Sequence, residues 1–201
     1  MVKVEIEIKG LEAAMTAISM LRERSIKTRP LMEEAGNILL QSVARNFEEE
    51  GRPTKWKPWS ELTRKIYESR AVAKAQSTKT WQRAGKRRRE SIEEQYKANY
   101  VAGSKILQSR NADLKKSVDK GRVTDTYVEI GSSLPYARIH QLGGVVRPKR
   151  GRFLLVPLGN GRFLRLREAH IPARPYLVVQ DEDKRAIIKA VHRFIFEGEL
   201  P

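Results

Sequence analysis

The chain has 201 residues: 40 are Lys or Arg, 24 are Asp or Glu, none is Cys, and the net charge is +16. That length suits one domain, or one domain with an elaboration, and a hydrophobic content of 40% supports one modest core. The missing cysteines exclude a disulfide framework, a thiolate zinc site and a cysteine nucleophile, while no apolar run approaches the ~18–20 residues that span a bilayer and no apolar h-region opens the chain, so a soluble protein made in a cytoplasm is expected.

Residues 2–8 alternate Val2, Val4, Ile6 and Ile8 with Lys3, Glu5 and Glu7, which predicts a strand ended by Gly10. Leu11, Met15, Ile18 and Leu21 then recur at helical spacing. A second helix starts near Pro30 and runs to about Phe47, with Leu31, Ala35, Ile38, Leu39, Val43 and Phe47 as its apolar stripe. Gly51-Arg52-Pro53 stops it, and the loop to Ser60 carries Trp56, Pro58 and Trp59. The two tryptophans can stack on a partner or pin the loop to the long helix. We read them as pins, because indoles bury large areas and a Pro-rich loop needs an anchor. Ser60-Glu61-Leu62-Thr63 reads as the cap of a short helix.

Residues 70–103 are rich in Lys, Arg, Ala, Gln and Ser and poor in large apolar side chains. They predict a basic helical excursion or arm on a single domain covering 1–201. Ile106 to Leu114 is a short extended piece entering a helical turn, and Val123 to Ile130 reads as one strand. Pro135 opens a short helix through Leu142, stopped by Gly143-Gly144. That pair lacks the spacing of a phosphate-binding loop and reads as a helix C-cap. Phe153 to Leu158 and Arg162 to Arg167 are strands joined by Gly159-Asn160-Gly161, a hairpin signal because Asn and Gly tolerate positive φ. Ile171 to Pro175 is a stiff extended linker, Tyr176 to Val179 a last short strand, and Asp181 or Asp183 the cap of a final helix. Ile187, Ala190, Val191, Phe194 and Ile195 share one face of that helix. The order of elements predicts an α+β fold with a mostly antiparallel sheet of about five strands and helices on one face.

Charge is concentrated in two places. Residues 64–97 hold 11 Lys/Arg and 4 Asp/Glu, and residues 147–167 hold 7 Lys/Arg and no acid, so these segments carry +14 of the +16. Such segments meet nucleic acid, a membrane surface or an acidic protein.

The residues that could carry chemistry are few. His140 is a candidate base or metal ligand, but no carboxylate pair or second histidine stands near it in sequence, and the plainer reading is a partly buried side chain orienting a short helix. His170 and His192 have no ligand spacing, and Ser60 and Ser109 sit in no nucleophile elbow. No catalytic, cofactor or metal residue is assigned, and the chain is expected not to be an enzyme.

Four segments together resemble a known family. They are Asn46-Phe47 with Gly51, Pro53, Trp56, Pro58, Ser60 and Thr63; Ile106-Leu107-Gln108-Ser109 with Leu114 and Ser117; Tyr136-Ala137-Arg138-Ile139-His140-Gln141-Leu142-Gly143-Gly144; and Ile171-Pro172-Ala173-Arg174-Pro175-Tyr176-Leu177. Asn111 stands where the family pattern has glycine. In this order they resemble the phage virion morphogenesis family, the tail-completion proteins of Mu-like phages and prophages. The resemblance covers residues 46–63 and 106–180 and leaves 70–103 unexplained. It implies a structural virion protein that completes the tail as a ring, six copies being expected, at the head-proximal end, with no cofactor. The implied partners are other copies of the chain, the tail tube or its terminator, and the head connector or neck protein. The implied location is the tail or neck of the virion, after assembly in the host cytoplasm.

Within that frame Arg147, Arg152, Phe153, Arg162, Arg165, Arg167 and Arg174 are candidates for the interface between subunits or with the next ring. One face of the hairpin can bury while the other presents Arg165 and Arg167. Arg174 can equally pair with an acidic residue of its own chain. Arg83, Lys86, Arg87, Arg88 and Arg89 are candidates for contact with DNA in the tail channel or with an acidic partner. The competing function is a basic nucleic-acid-binding protein, although no DNA- or RNA-binding signature is present. No membrane partner is expected.

Overall fold

The computed structural model describes residues 11–108 and 112–198. The predicted strand at 2–8, Ser109 and Asn111 lie outside them. The fold class is α+β: the chain is mostly helical, with short antiparallel strands. The strands of the described residues form three two-stranded ladders rather than one five-stranded sheet. The described residues divide into two compact units, one from residues 11–42, 118–131 and 179–198, the other from 43–108, 112–117 and 132–178.

The first unit holds α1 (Leu11–Ile26), the start of α2 (Arg29–Glu48), the hairpin of β1 (Val118–Val123) and β2 (Val128–Ser132), and α8 (Asp181–His192) continuing into a π-helical turn (Arg193–Glu197). The predicted stripes find each other here: Leu31, Ala190 and Phe194 are buried together, with Met32, Ile38, Val191 and Ile195 around them. Arg24 of α1 donates to the Ile195 carbonyl (3.2 Å), satisfying an acceptor at a helix end, where carbonyls lack intrahelical partners.

Two expectations are corrected in this unit. The single strand at Val123–Ile130 is a hairpin that turns at 124–127. The Thr124 amide donates to the Tyr127 carbonyl (3.0 Å), and the Thr124 hydroxyl accepts from the amides of Thr126 and Tyr127. A threonine that bonds its own neighbouring backbone offers an alternative to the ladder, and alternation alone does not register it. The turn serves α2, since Asp125 Oδ1 accepts the Arg29 amide (3.1 Å). The cap of α8 is Gln180, not an aspartate. Asp183 accepts the Gln180 amide (2.8 Å) from inside the first turn and also takes the Ser42 hydroxyl (2.6 Å).

The second unit begins with the end of α2. It adds α3 (Glu61–Gln76), α4 (Lys79–Arg83), α5 (Lys86–Ala102), α6 (Asp113–Lys116) and α7 (Ala137–Leu142). Its ladders are β3 (Gly144–Val146) with β6 (Ala169–Ile171), and β4 (Leu154–Gly159) with β5 (Arg162–Leu166). Ser60 caps α3 by accepting the Thr63 amide (3.2 Å). Residues 70–103 are helical, and α3 and α5 pack along each other. They need no wide apolar stripe, because Ala71 and Ala75 are fully buried and small side chains permit close approach. Gln76 and Trp81 both donate to Glu93 Oε1 (3.1 and 3.0 Å), fastening α4 and α5 to the end of α3.

The β4–β5 hairpin has the turn that its sequence predicts, with Gly159, Asn160 and Gly161 all at positive φ. A Cβ on Gly159 would stand 2.4 Å from the Ala73 Cβ, so the hairpin lies directly on α3. Asn160 donates to Gln76 (2.6 Å) and Arg70 to the Pro157 carbonyl (2.9 Å). The expected last strand at Tyr176–Val179 is no strand: the segment bends at Leu177 and pairs with no strand among the described residues. A side chain satisfies its backbone instead.

Candidate functional site

The family-like segments meet in the core of the second unit. Phe47 at the end of α2 is fully buried, with Trp56 edge-on to it (5.7 Å between centroids) and Tyr176 tilted against it (5.3 Å). Trp56 Nε1 donates to the Pro175 carbonyl (2.8 Å), so this indole is a pin. Trp59 stacks on Tyr67 of α3 (4.7 Å, 17° between planes). Asn46, adjacent to Phe47 and fully buried, donates to the Tyr176 carbonyl (2.9 Å).

Gln141 of α7 takes the place of a neighbouring strand. Its Oε1 accepts the amides of Tyr176 (2.9 Å) and Leu177 (3.0 Å), and its Nε2 donates to the Leu177 carbonyl (3.0 Å). One carboxamide has both donor and acceptor, so it can satisfy the buried backbone groups of a segment that has no ladder. Gly143 closes α7 at φ +72, its amide donating to the Ile139 carbonyl (2.8 Å). A Cβ there would stand 2.7 Å from the Ala173 amide nitrogen, so α7 and the 171–177 segment approach as closely as they do only with glycine.

Arg174 is buried in this core. Its Nε donates to the Lys57 carbonyl (3.0 Å) and its Nη2 to the Pro58 carbonyl (3.2 Å). Its hydrogen-bond partners are loop carbonyls rather than a carboxylate. Burial lowers the guanidinium pKa from its ordinary value. Burial, and then the Arg174 charge, also lower the pKa of the half-buried His140. His140 Nδ1 has no partner among the described residues. Burial likewise raises the Tyr176 phenol, which donates to the Ala137 carbonyl (3.3 Å). Among the described residues, no three His, Cys, Asp or Glu side chains group to hold a metal ion.

The other candidate residues lie at the surface of the same unit. Arg152, Arg162, Arg165 and Arg167 are exposed, and Phe153 is half-buried. Arg147 is exposed and pairs with Glu168 (2.9 Å), an arrangement that lowers the Glu168 pKa, with a hydrogen bond from His170 as the larger cause. Arg165 faces Leu155 across the hairpin, and Phe163 faces Pro157. Leu155 and Phe163 are 61% and 57% exposed, so the outer face of the hairpin is apolar as well as basic. The period-two burial of β4 and β5 gives the inner face to Leu154, Val156, Leu164 and Leu166. At the other basic segment Arg83, Lys86, Arg87 and Arg88 are exposed. Arg89 is held in place: its guanidinium lies over the Trp81 ring (4.5 Å), and it donates to the Trp81 and Gln82 carbonyls (3.2 and 3.0 Å).

Sequence reasoning missed Asn46 and Gln141 as builders of this core. The only signal was their place inside motifs; a polar side chain that serves a distant backbone leaves no periodic trace.

This is an α+β protein whose motif residues, Arg174 among them, build a buried scaffold, while Arg147, Arg152, Arg162, Arg165 and Arg167 stand outside it. Residues 86–195, more than half of the chain, match the model of the phage virion morphogenesis family, and the chain belongs to that family. Mu-like prophage FluMu G protein 2 of Haemophilus influenzae is 24% identical over 191 residues, covering 95% of each chain. No solved structure matches the chain. The protein therefore has a structural, virion-associated role in a phage. The family match includes α5, which the sequence motifs left unexplained, and starts after Asn46 to Thr63. That earlier segment nonetheless packs on the matched region, through Phe47 and Trp56 against Tyr176.

Proposed function

We propose that the protein completes the phage tail as a ring, expected to hold six copies, at the head-proximal end, and prepares the tail for joining to the head. Its work is adhesive and not catalytic. The copies meet each other, the tail tube or its terminator, and the head connector or neck protein, in the host cytoplasm during assembly and then in the neck of the virion. Family membership and the likeness to a Mu-like prophage protein support a role of this kind.

The observation that carries the reading is the outer face of the β4–β5 hairpin. Leu155 and Phe163 are exposed there beside Arg165, on a hairpin whose inner side is held to α3. Aromatic residues and Arg are enriched in the cores of protein interfaces. The ladder has two strands among the described residues, and the edge of such a ladder can pair with a strand of a second chain. A head-to-tail contact closes into a ring when its rotation divides the circle, and every copy then contributes the same arginines.

The test is complementation. A phage lacking the gene should leave separate heads and tails, and the purified protein should restore joined particles in the lysate. Leu155→Asp with Phe163→Asp should fold and fail to restore them; full complementation by that variant would sink the hairpin interface. A second reading, nucleic-acid binding, rests on Arg83, Lys86, Arg87 and Arg88, which are exposed within six residues of each other. A salt-sensitive shift of duplex DNA, lost when the four are neutralised, would favour it.

A further inference from the structure

We propose that the groove between α3 and α5 binds a short single-stranded segment of nucleic acid. The groove encloses about 690 Å³, inside the ~300–1,000 Å³ range of ligand pockets. Tyr67, Arg70 and Lys74 stand at i, i+3 and i+7 on α3, and Tyr96, Asn99 and Tyr100 at i, i+3 and i+4 on α5, so each helix presents one face to it. Lys105, whose ammonium donates to the Glu48 carbonyl (3.0 Å), adds a third cation at the rim, and no carboxylate lines the groove among the described residues. Tyr67 is already stacked on Trp59 and tilted against Tyr100 (5.8 Å), so the Tyr96 ring is the surface left for a base, and with the cations around it and no acid it matches the two needs of a single strand: stacking for bases and positive charge along the phosphates.

The free donors point the same way. Among the described residues, the Lys74 ammonium and the hydroxyls of Tyr67, Tyr96 and Tyr100 have no hydrogen-bond partner, and Arg70, whose guanidinium lies over the Tyr67 ring (6.0 Å), donates only its Nε, to the Pro157 carbonyl. An acidic peptide would also satisfy these donors. It carries no flat base along its backbone to lay against the Tyr96 ring, which a single strand does. The groove's lining shares no residue with the hairpin face proposed for assembly or with the exposed cations at 83–88.

The test is fluorescence anisotropy with a labelled single-stranded DNA of about 12 nucleotides. Tyr96→Leu removes a stacking surface and should weaken binding about tenfold or more. Lys74→Gln should flatten the salt dependence between about 50 and about 200 mM by close to one phosphate contact. Both positions lie outside the buried core, and an unchanged melting temperature shows that each variant is folded. Tyr96→Phe keeps the ring and should keep most of the affinity. No binding by the unaltered protein overturns the proposal. So does binding indifferent to Tyr96→Leu and Lys74→Gln but lost on neutralising Arg83, Lys86, Arg87 and Arg88. Displacement of the strand by poly-glutamate at comparable concentration also overturns it, and assigns the groove to an acidic protein segment. None of these results depends on whether complementation succeeds.

Discussion

The core around Tyr176 and the outer surfaces of the same unit treat polar groups in opposite ways. In the core, Asn46, Gln141 and Arg174 each bond to backbone groups of other segments. At the surface, Arg83, Lys86, Arg87 and Arg88 stand exposed at the turn from α4 into α5, and Leu155 and Phe163 stand exposed on the hairpin. Lys86 to Arg88 also sit at the start of α5, where the helix dipole disfavours positive charge. The contrast separates the residues that make the fold from those that take no part in holding it. All four motif segments supply side chains that hold the backbone in place, the second through Gln108, which donates to the Phe47 carbonyl (2.6 Å).

Substitutions in the two regions should therefore differ in kind. The largest effect is expected from Phe47→Ala, which opens a cavity between Trp56 and Tyr176 and should cost about 3–5 kcal/mol in denaturant unfolding. Gln141→Leu keeps the volume but strands the amides of Tyr176 and Leu177 and the Leu177 carbonyl. A loss of about 1–3 kcal/mol is expected, by the same measurement. A change within experimental error would mean that Gln141 is no strand substitute.

His140 sharpens the comparison through pH. Its folded-state pKa lies below the ordinary 6.5, so the unfolded chain takes up the proton first as the pH falls. The stability given by a neutral His140 is present above 6.5 and is lost as the pH drops through the folded value. Between about pH 7.5 and about pH 5.5, the unaltered protein should lose more stability than His140→Asn, read from melting temperatures at each pH. A larger loss in the variant would reverse the sign and contradict the burial of the ring. The smallest effect belongs to the surface. Neutralising Arg83, Lys86, Arg87 and Arg88 to Gln should leave stability within about 0.5 kcal/mol, or raise it slightly by relieving repulsion at the start of α5.

How much of this was legible in the sequence depended on how local the signal was. The apolar stripe of α2, the Ser60 cap and the Gly159-Asn160-Gly161 turn were readable because period, cap and φ preference act over a few residues. The turn at Thr124 was hidden in a run that alternates like one strand. Gln141 standing in for a strand, and Arg174 bonded to the carbonyls of Lys57 and Pro58, span 35 to 117 residues of chain. No spacing rule reaches so far, and the motifs marked those positions without saying what they do. Helical packing of 70–103 was missed as a packed element because Ala71 and Ala75 do with small size what the period rule looks for in large apolar residues.

Cryo-electron microscopy of the finished particle tests the proposed role most directly. A closed ring of this chain at the head-proximal end of the tail is predicted, with Leu155, Phe163 and Arg165 covered by a neighbouring subunit. Density for the chain along the tail shaft or inside the capsid, or a ring that leaves that hairpin face bare, would contradict it.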